Sequence, residues 1–378
     1  MQSPPGDHAK ENPESVAADI GVQGIEALPK KIDRYSKAKK GALEVSDYID
    51  GMQQGKRSTL QAMDDQKVSG RLRSCGDYLI FHHYFTVDQV RLHGASLCMK
   101  HLLCPLCAIR RGAKALKAYL DRWECIRAEK PLLRPYLVTL TVKDGDDLEE
   151  RFKHLHKAQR ELWMRKHRGR VRSPLAGVEG AVWSYEMKRG SGSGLWHPHL
   201  HMIALAECPP DASELAAEWH NITGDSFIVD VRPIDQADPI SGFLEVFKYA
   251  VKFSEQPVAD TWHCFKTLSR RRLLGSSGCF REVVVPESLL DESSDFDGLP
   301  YIELFYRHLV GSYELQRRQW RPQVAEGRRK RERSPGPLQE GLTPWEGRPG
   351  LKWMNSPGAI PPVRDSRGSK RSAAPSPN

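Results

Sequence analysis

Hydrophobic and polar positions along the middle of the chain recur with a period that switches between two and about 3.6, and each switch marks an element. Tyr136-Leu-Val-Thr-Leu-Thr-Val142 is rich in β-branched residues and predicts a strand. Leu148, Phe152, Leu155 and Leu162 share one helical face and predict an amphipathic helix to about His167. Gly180 to Met187 predicts a second strand, and Lys188-Arg-Gly-Ser-Gly-Ser-Gly194 a flexible turn. Trp196-His197-Pro198-His199-Leu200-His201 then runs into the apolar segment Met202 to Leu205, a buried third strand. Asp211, with Glu214 three residues on, is a capping-box-like helix start, and that helix runs to about Asn221. Ser226 to Val231 predicts a fourth strand.

The order βαββαβ predicts an α+β fold with a ferredoxin-like antiparallel sheet, helices on one face and the other face left for a site. Upstream, residues 32–69 favour helix, and Tyr78 to Phe85 and Gln89 to Leu92 predict strands before a helix that begins near Ala108. Downstream, a helix from about Gln236 to Phe253 buries Ile240, Phe243, Leu244, Phe247 and Val251. A strand from Phe280 to Val285 and a helix from Tyr301 to Arg317 complete the periodic part. Five segments follow: a disordered N-terminus (1–31), a helical module that carries a cysteine cluster (32–125), a domain built on the βαββαβ sheet (134–290), a C-terminal helical extension (291–320) and a disordered basic tail (321–378).

Composition narrows the function. A net charge of +9 and a pI near 9.1 favour a polyanionic partner, nucleic acid first. Hydrophobic residues at 39% support a real core, while a mean hydropathy of −0.56 and 26 prolines fit disordered ends. Neither a secretory signal nor an apolar run of membrane-spanning length is present, which predicts a cytoplasmic protein with no membrane partner. In that compartment the 8 cysteines suggest metal ligands before disulfides.

Two stretches carry chemistry. In a strand, side chains two apart share a face, so His199 and His201 project together and form half of a divalent-metal site. His197 has the same parity, and Pro198 leaves its direction open. The turn after the second strand can bring the Glu186 carboxylate beside the pair as a third ligand. That mixed N/O set suits Mn²⁺ or Mg²⁺. Upstream, Cys104-Pro-Leu-Cys107 is a two-thiolate knuckle; Cys75 and Cys98 would complete a structural Zn²⁺ site, with His101 as the substitute ligand. Arg110 and Arg111 on the helix that follows, and Arg271 and Arg272 further on, are candidate DNA contacts.

The helix after the sheet sets Glu245, Lys248, Tyr249 and Lys252 on one face, at i, i+3, i+4 and i+7. Tyr249 is the candidate nucleophile, helped by the metal's field or by Lys248 and Lys252, and Glu245 the candidate base for a later attack by water.

His197-Pro-His-Leu-His201 resembles the HUH motif of the rolling-circle replication initiators of small plasmids. Leu137-Val-Thr-Leu-Thr141 is similar to that family's first motif and Glu245-Val-Phe-Lys-Tyr-Ala-Val-Lys252 to its third. The cysteines, Arg110-Arg111, Arg271-Arg272 and Gly278 also fit, over about residues 65 to 285. The resemblance implies a single-tyrosine HUH endonuclease: it nicks one strand at a plasmid origin, stays attached through a 5′-phosphotyrosine, and leaves a 3′-hydroxyl for host polymerase. Relaxases and transposases share the HUH motif and stand as the alternative. A zinc-dependent DNA-binding regulator would leave Tyr249 and Glu245 idle. A non-haem iron oxygenase would want a β-barrel, which the element order does not predict.

Overall fold

In the computed structural model, residues 16–20, 24–53, 60–168, 173–248, 256–292 and 294–322 are described. Their helices are α1 (Leu28–Gln53), α2 (Leu60–Arg73), α3 (Pro105–Glu129), α4 (Leu148–Arg168), α5 (Ala212–Thr223), α6 (Pro239–Phe247) and α7 (Val258–Leu268). The strands are β1 (Tyr78–Tyr84), β2 (Gln89–Ala95), β3 (Arg134–Thr141), β4 (Gly180–Arg189), β5 (Trp196–Ala206), β6 (Val229–Pro233), β7 (Leu274–Gly278), β8 (Tyr301–Leu309) and β9 (Ser312–Arg321).

The larger sheet has five antiparallel strands in the order β6-β3-β5-β4-β7. Its central strand β5 is buried at every position from Met202 to Ala206, because both faces are covered there and no polar alternation is needed. On one face Tyr185 meets Phe152 of α4 edge-on at 5.4 Å and donates its hydroxyl to Gln159 at 3.1 Å. Trp219 of α5 is buried on the same layer and donates Nε1–H to the Thr141 carbonyl at 2.6 Å. Asp211 caps α5 by accepting from the backbone N–H groups of Ser213 and Glu214, and Gly224 ends the helix at a φ of 71°. With α4 on the Tyr185 face, α6 lies across the other, packed on β4, β5 and α3. Phe247 anchors it 5.0 Å from the ring of Tyr119.

The smaller sheet, in the order β2-β1-β8-β9, joins distant parts of the chain. Tyr301 to Arg317, expected to be a helix, is instead this sheet's second hairpin. The register pairs Leu309 with Ser312 across a two-residue turn, Val310-Gly311, both at positive φ (40° and 88°). That is the geometry whose twist matches a two-stranded ribbon. The cysteine module is therefore not contiguous: its sheet is completed by residues beyond 300.

Other boundaries also shift. Residues 32–69 resolve into α1 and α2, and the strand expected at Phe280 to Val285 lies earlier, at β7. β6 starts at Val229 because Ser226 is held in a turn, where Thr223 Oγ1 donates to its carbonyl at 2.9 Å. The expected helix from Gln236 to Phe253 is described as Pro239–Phe247; residues 249–253 lie outside the described residues, as do 1–15 and 323–378. No helix among the described residues is long and apolar enough to cross a membrane.

Candidate metal and nuclease site

Register decides which side chains meet. β4 pairs with β5 so that Glu186 stands opposite His199 and Ser184 opposite His201, while β3 sets Thr139 opposite His201. Directly paired residues share a face, so the two histidines, Glu186 and Thr139 collect on the face away from α4. Nε2 of His201 lies 3.3 Å from a Glu186 carboxylate oxygen, and Nδ1 lies 3.2 Å from Thr139 Oγ1. The His199 and His201 rings stack with centroids 5.7 Å apart and planes 9° from parallel.

Neither nitrogen of His199 has a hydrogen-bond partner although both are buried. A buried polar atom without a partner costs free energy, so this imidazole has a reason to be kept. Burial, with the neighbouring His197 and Lys188 charges, pulls its pKa down to about 3, which leaves the ring neutral with a free lone pair. Glu186 is only 5% exposed. Burial opposes its charge, but the hydrogen bond and charge of His201, with His199 and Lys188, hold its pKa at about 2. A neutral orphaned imidazole, a second imidazole and a buried carboxylate are a donor set that fits a divalent cation.

His197 joins the same face, its ring edge-on to His199 at 4.2 Å, but its Nδ1 is engaged by the carboxylate of Asp144. Asp144 also accepts from Ser193 Oγ at 2.5 Å. Sequence reasoning missed Asp144. The signal was its place just past β3, where Gly145 bridges back to Trp196 at the start of the histidine strand. Glu245 of α6 and Lys248 at its C-cap form an i,i+3 ion pair at 2.5 Å. Tyr249 and Lys252 lie outside the described residues.

The four cysteines do converge. Cys75 Sγ is 3.5 Å from Cys104 and 3.6 Å from Cys107, and Cys98 is 3.6 Å from Cys107. Tetrahedral Zn–S bonds of about 2.3 Å put sulfur atoms roughly 3.8 Å apart, so the cluster is already near that size. Among the described residues, it alone brings three or more potential ligand atoms within 4.8 Å of one another. His101 is not in it. Met99, at a φ of 60°, turns the chain so that the Lys100 N–H points to Cys98 Sγ at 3.5 Å. Cys104 stands at the N-cap of α3 with Pro105 behind it. Hydrogen bonds from Cys104, Cys107 and Cys75 push the Cys98 thiol far down, whereas those with Cys107, Cys75 and Cys98, plus burial, push Cys104 up. Four thiolates can coexist there only around a cation.

The arginines divide. Arg110 was expected to touch DNA, but it is 1% exposed and binds the Leu289 carbonyl at 2.7 Å and Asp19 at 2.8 Å. It is a buried structural cation, and that expectation is corrected. Arg111 is half-buried and donates to the Pro286 carbonyl at 2.9 Å. Arg271 and Arg272 are exposed, the first paired with Glu149 at 2.7 Å, the second donating to the Leu274 carbonyl at 3.0 Å.

Residues 89–208 match the family model Rep_1, described as a replication protein. That segment holds Cys98, Cys104, Cys107, Asp144, Glu186 and the three alternating histidines. Two curated relatives are each called Protein rep. The one from Streptococcus pneumoniae serotype 2 is 27% identical over 56% of this chain and 70% of its own length. The one from Lactiplantibacillus plantarum is 26% identical over 50% of this chain and 63% of its own. No solved structure matches. The resemblance to rolling-circle plasmid replication initiators is borne out by both comparisons that found a match.

Proposed function

We propose that this protein initiates plasmid replication by nicking and rejoining one strand of origin DNA, with Tyr249 as nucleophile. The observation that carries the reading is the partnerless His199 imidazole beside His201 and the ionised Glu186, inside the segment that matches replication proteins. We read the larger sheet as a ferredoxin-like palm within residues 134–290. Taken in chain order β3, β4, β5, β6, its strands lie fourth-first-third-second, with helices after the first and third.

His199, His201 and Glu186 would hold Mn²⁺ or Mg²⁺, which when bound polarises a phosphoryl oxygen. Asp144 engages His197 Nδ1 and so fixes the tautomer that leaves the lone pair on Nε2. The Tyr249 oxygen attacks phosphorus and a phosphotyrosine bond forms; the bond to the 3′-oxygen breaks, the phenol proton passes to solvent, and the leaving 3′-oxygen takes a proton back from solvent to become the 3′-hydroxyl. Lys248 and Lys252 are the cations assigned to help the phenol give up its proton. Glu245, which Lys248 holds at 2.5 Å, takes the proton from water in the cleavage that ends synthesis. The 3′-hydroxyl goes to host polymerase in the cytoplasm. The Cys75-Cys98-Cys104-Cys107 site would hold Zn²⁺ and tie α2, β2 and α3 together, and Arg111, Arg271 and Arg272 serve phosphates.

The test is cleavage of single-stranded origin DNA by wild type and His199→Ala, with Mn²⁺ or with EDTA. Cutting by wild type with Mn²⁺ alone supports the reading. Cutting that survives EDTA, or survives in His199→Ala, removes the metal site from it.

A further inference from the structure

The smaller sheet has a face that the nuclease reading does not use. One side of it is core: Leu79, Phe81, Leu304 and Tyr313 are buried. The other side alternates rings with guanidinium groups: it is exposed at Tyr78, Arg307 and Arg317, half-buried at Tyr301 and Phe305, and closed over His82 and Tyr84, which are buried. Register sets Tyr78 opposite Arg307, Phe305 opposite Arg317 and Tyr301 opposite Arg321. The Tyr78 and Phe305 rings lie 6.2 Å apart, and the Arg317 guanidinium sits 5.7 Å from the Phe305 centroid. Tyr301 stacks on His82 at 4.0 Å, and His82 in turn on His93 at 3.8 Å. Tyr78 is 38% exposed, and Arg307 and Arg317 are exposed.

We propose that this outer face binds single-stranded DNA, at a surface separate from the histidine face of the larger sheet. Flat rings on a rigid sheet stack on unpaired bases of any sequence, and interleaved arginines meet the phosphates between them. The four arginines of this face (Arg91, Arg307, Arg317, Arg321) outnumber its two acids, Glu303 and Glu314, which favours an anionic polymer over an acid-bearing or neutral partner. Glu303 holds Arg317 at 2.7 Å, so that guanidinium is presented already oriented. Tyr301 and Phe305 are four residues apart on β8, about 13–14 Å, near the reach of two or three nucleotides of extended strand. A duplex hides the base faces that these rings would engage. The inference rests on the replication reading for the source of the strand, the one displaced at the origin.

The test uses the full chain in EDTA, so that no strand is cut. Fluorescence anisotropy with an oligothymidylate compares wild type with Tyr78→Ala/Phe305→Ala, which should bind about tenfold more weakly. Photocrosslinking of a bromodeoxyuridine oligonucleotide to wild type needs no variant and should label peptides bearing Tyr78, Tyr301 or Phe305. Labels confined to other peptides, no binding of oligothymidylate, or equal affinity for duplex would each overturn the proposal. Labelled sheet peptides from a protein that fails to nick would overturn the nuclease reading and leave this one standing. Nicking without those labels would do the reverse.

Discussion

Glu186 and His201 meet at 3.3 Å across the β4–β5 ladder, although Glu186 is paired with His199 and not with His201. The diagonal contact leaves His199 without a partner, and that asymmetry is what a bound cation would complete. Glu186→Gln keeps the shape but removes the charge. It should weaken Mn²⁺ binding by about tenfold or more, as measured by calorimetry, and lower nicking in parallel. Unchanged Mn²⁺ affinity would remove Glu186 from the ligand set.

Asp144 acts through His197. Asp144→Asn should reduce nicking by about 10-fold, less than His199→Ala, and a similar loss in His197→Ala would place the two in one unit. A double variant no worse than either single one is the expected outcome of a cycle. Additive losses would separate them.

The cysteine cluster should hold the α2–β2–α3 junction. Cys104→Ser should release zinc, measured by elemental analysis, and lower the melting temperature by roughly 10 °C or more, since metal affinity there is folding free energy. Full zinc content with an unchanged melting temperature would take Cys104 out of the site.

Asp19 is buried against Lys31 at 3.2 Å and Arg110 at 2.8 Å. Burial raises its pKa, yet Lys31, Arg110 and the Tyr35 hydrogen bond outweigh that and hold the carboxyl well below the usual range. A depressed folded pKa gives stability that is complete above the unfolded value near ~4 and is lost as pH falls through the folded one. Asp19→Asn leaves Arg110 and Lys31 short of a counter-charge and should cost about 3–5 kcal/mol at neutral pH. The gap between urea melts of the two proteins should be constant above about pH 4 and narrow progressively below it; a gap independent of pH would contradict this assignment.

How much of this could be read from the sequence follows from where local pattern and tertiary need agree. β3, α4, β4 and β5 carry strong periods, and the alternating histidines inherit a face from the strand itself. The cysteine knuckle has a fixed spacing, so it was legible without the fold. The hairpin of β8 and β9 was not. Tyr301, Leu304, Phe305, His308 and Leu309 fall at helical intervals, and β9 is exposed on both faces at most positions, so no alternation betrays it. Arg110 reads as a surface cation until Asp19 and Asp291 are brought to it from 91 and 181 residues away.

The turn of that hairpin gives its own prediction. Val310 is β-branched at a φ of 40°, where Asn is far better tolerated. Val310→Asn should stabilise the protein by about 1 kcal/mol, read as a higher denaturation midpoint with an unchanged slope. A lower midpoint would mean that the Val310 side chain, fully exposed here, contributes in another way.

The proposed reaction turns on a covalent bond between Tyr249 and DNA. Single-stranded origin DNA is incubated with the protein and Mn²⁺, and the adduct is digested and mapped by mass spectrometry, with Tyr249→Phe and Glu245→Gln in parallel. Wild type should carry a 5′-phosphate on Tyr249, Tyr249→Phe none, and Glu245→Gln an adduct that forms but resists hydrolytic release. A nick without an adduct, or an adduct on another residue, would contradict the proposed reaction.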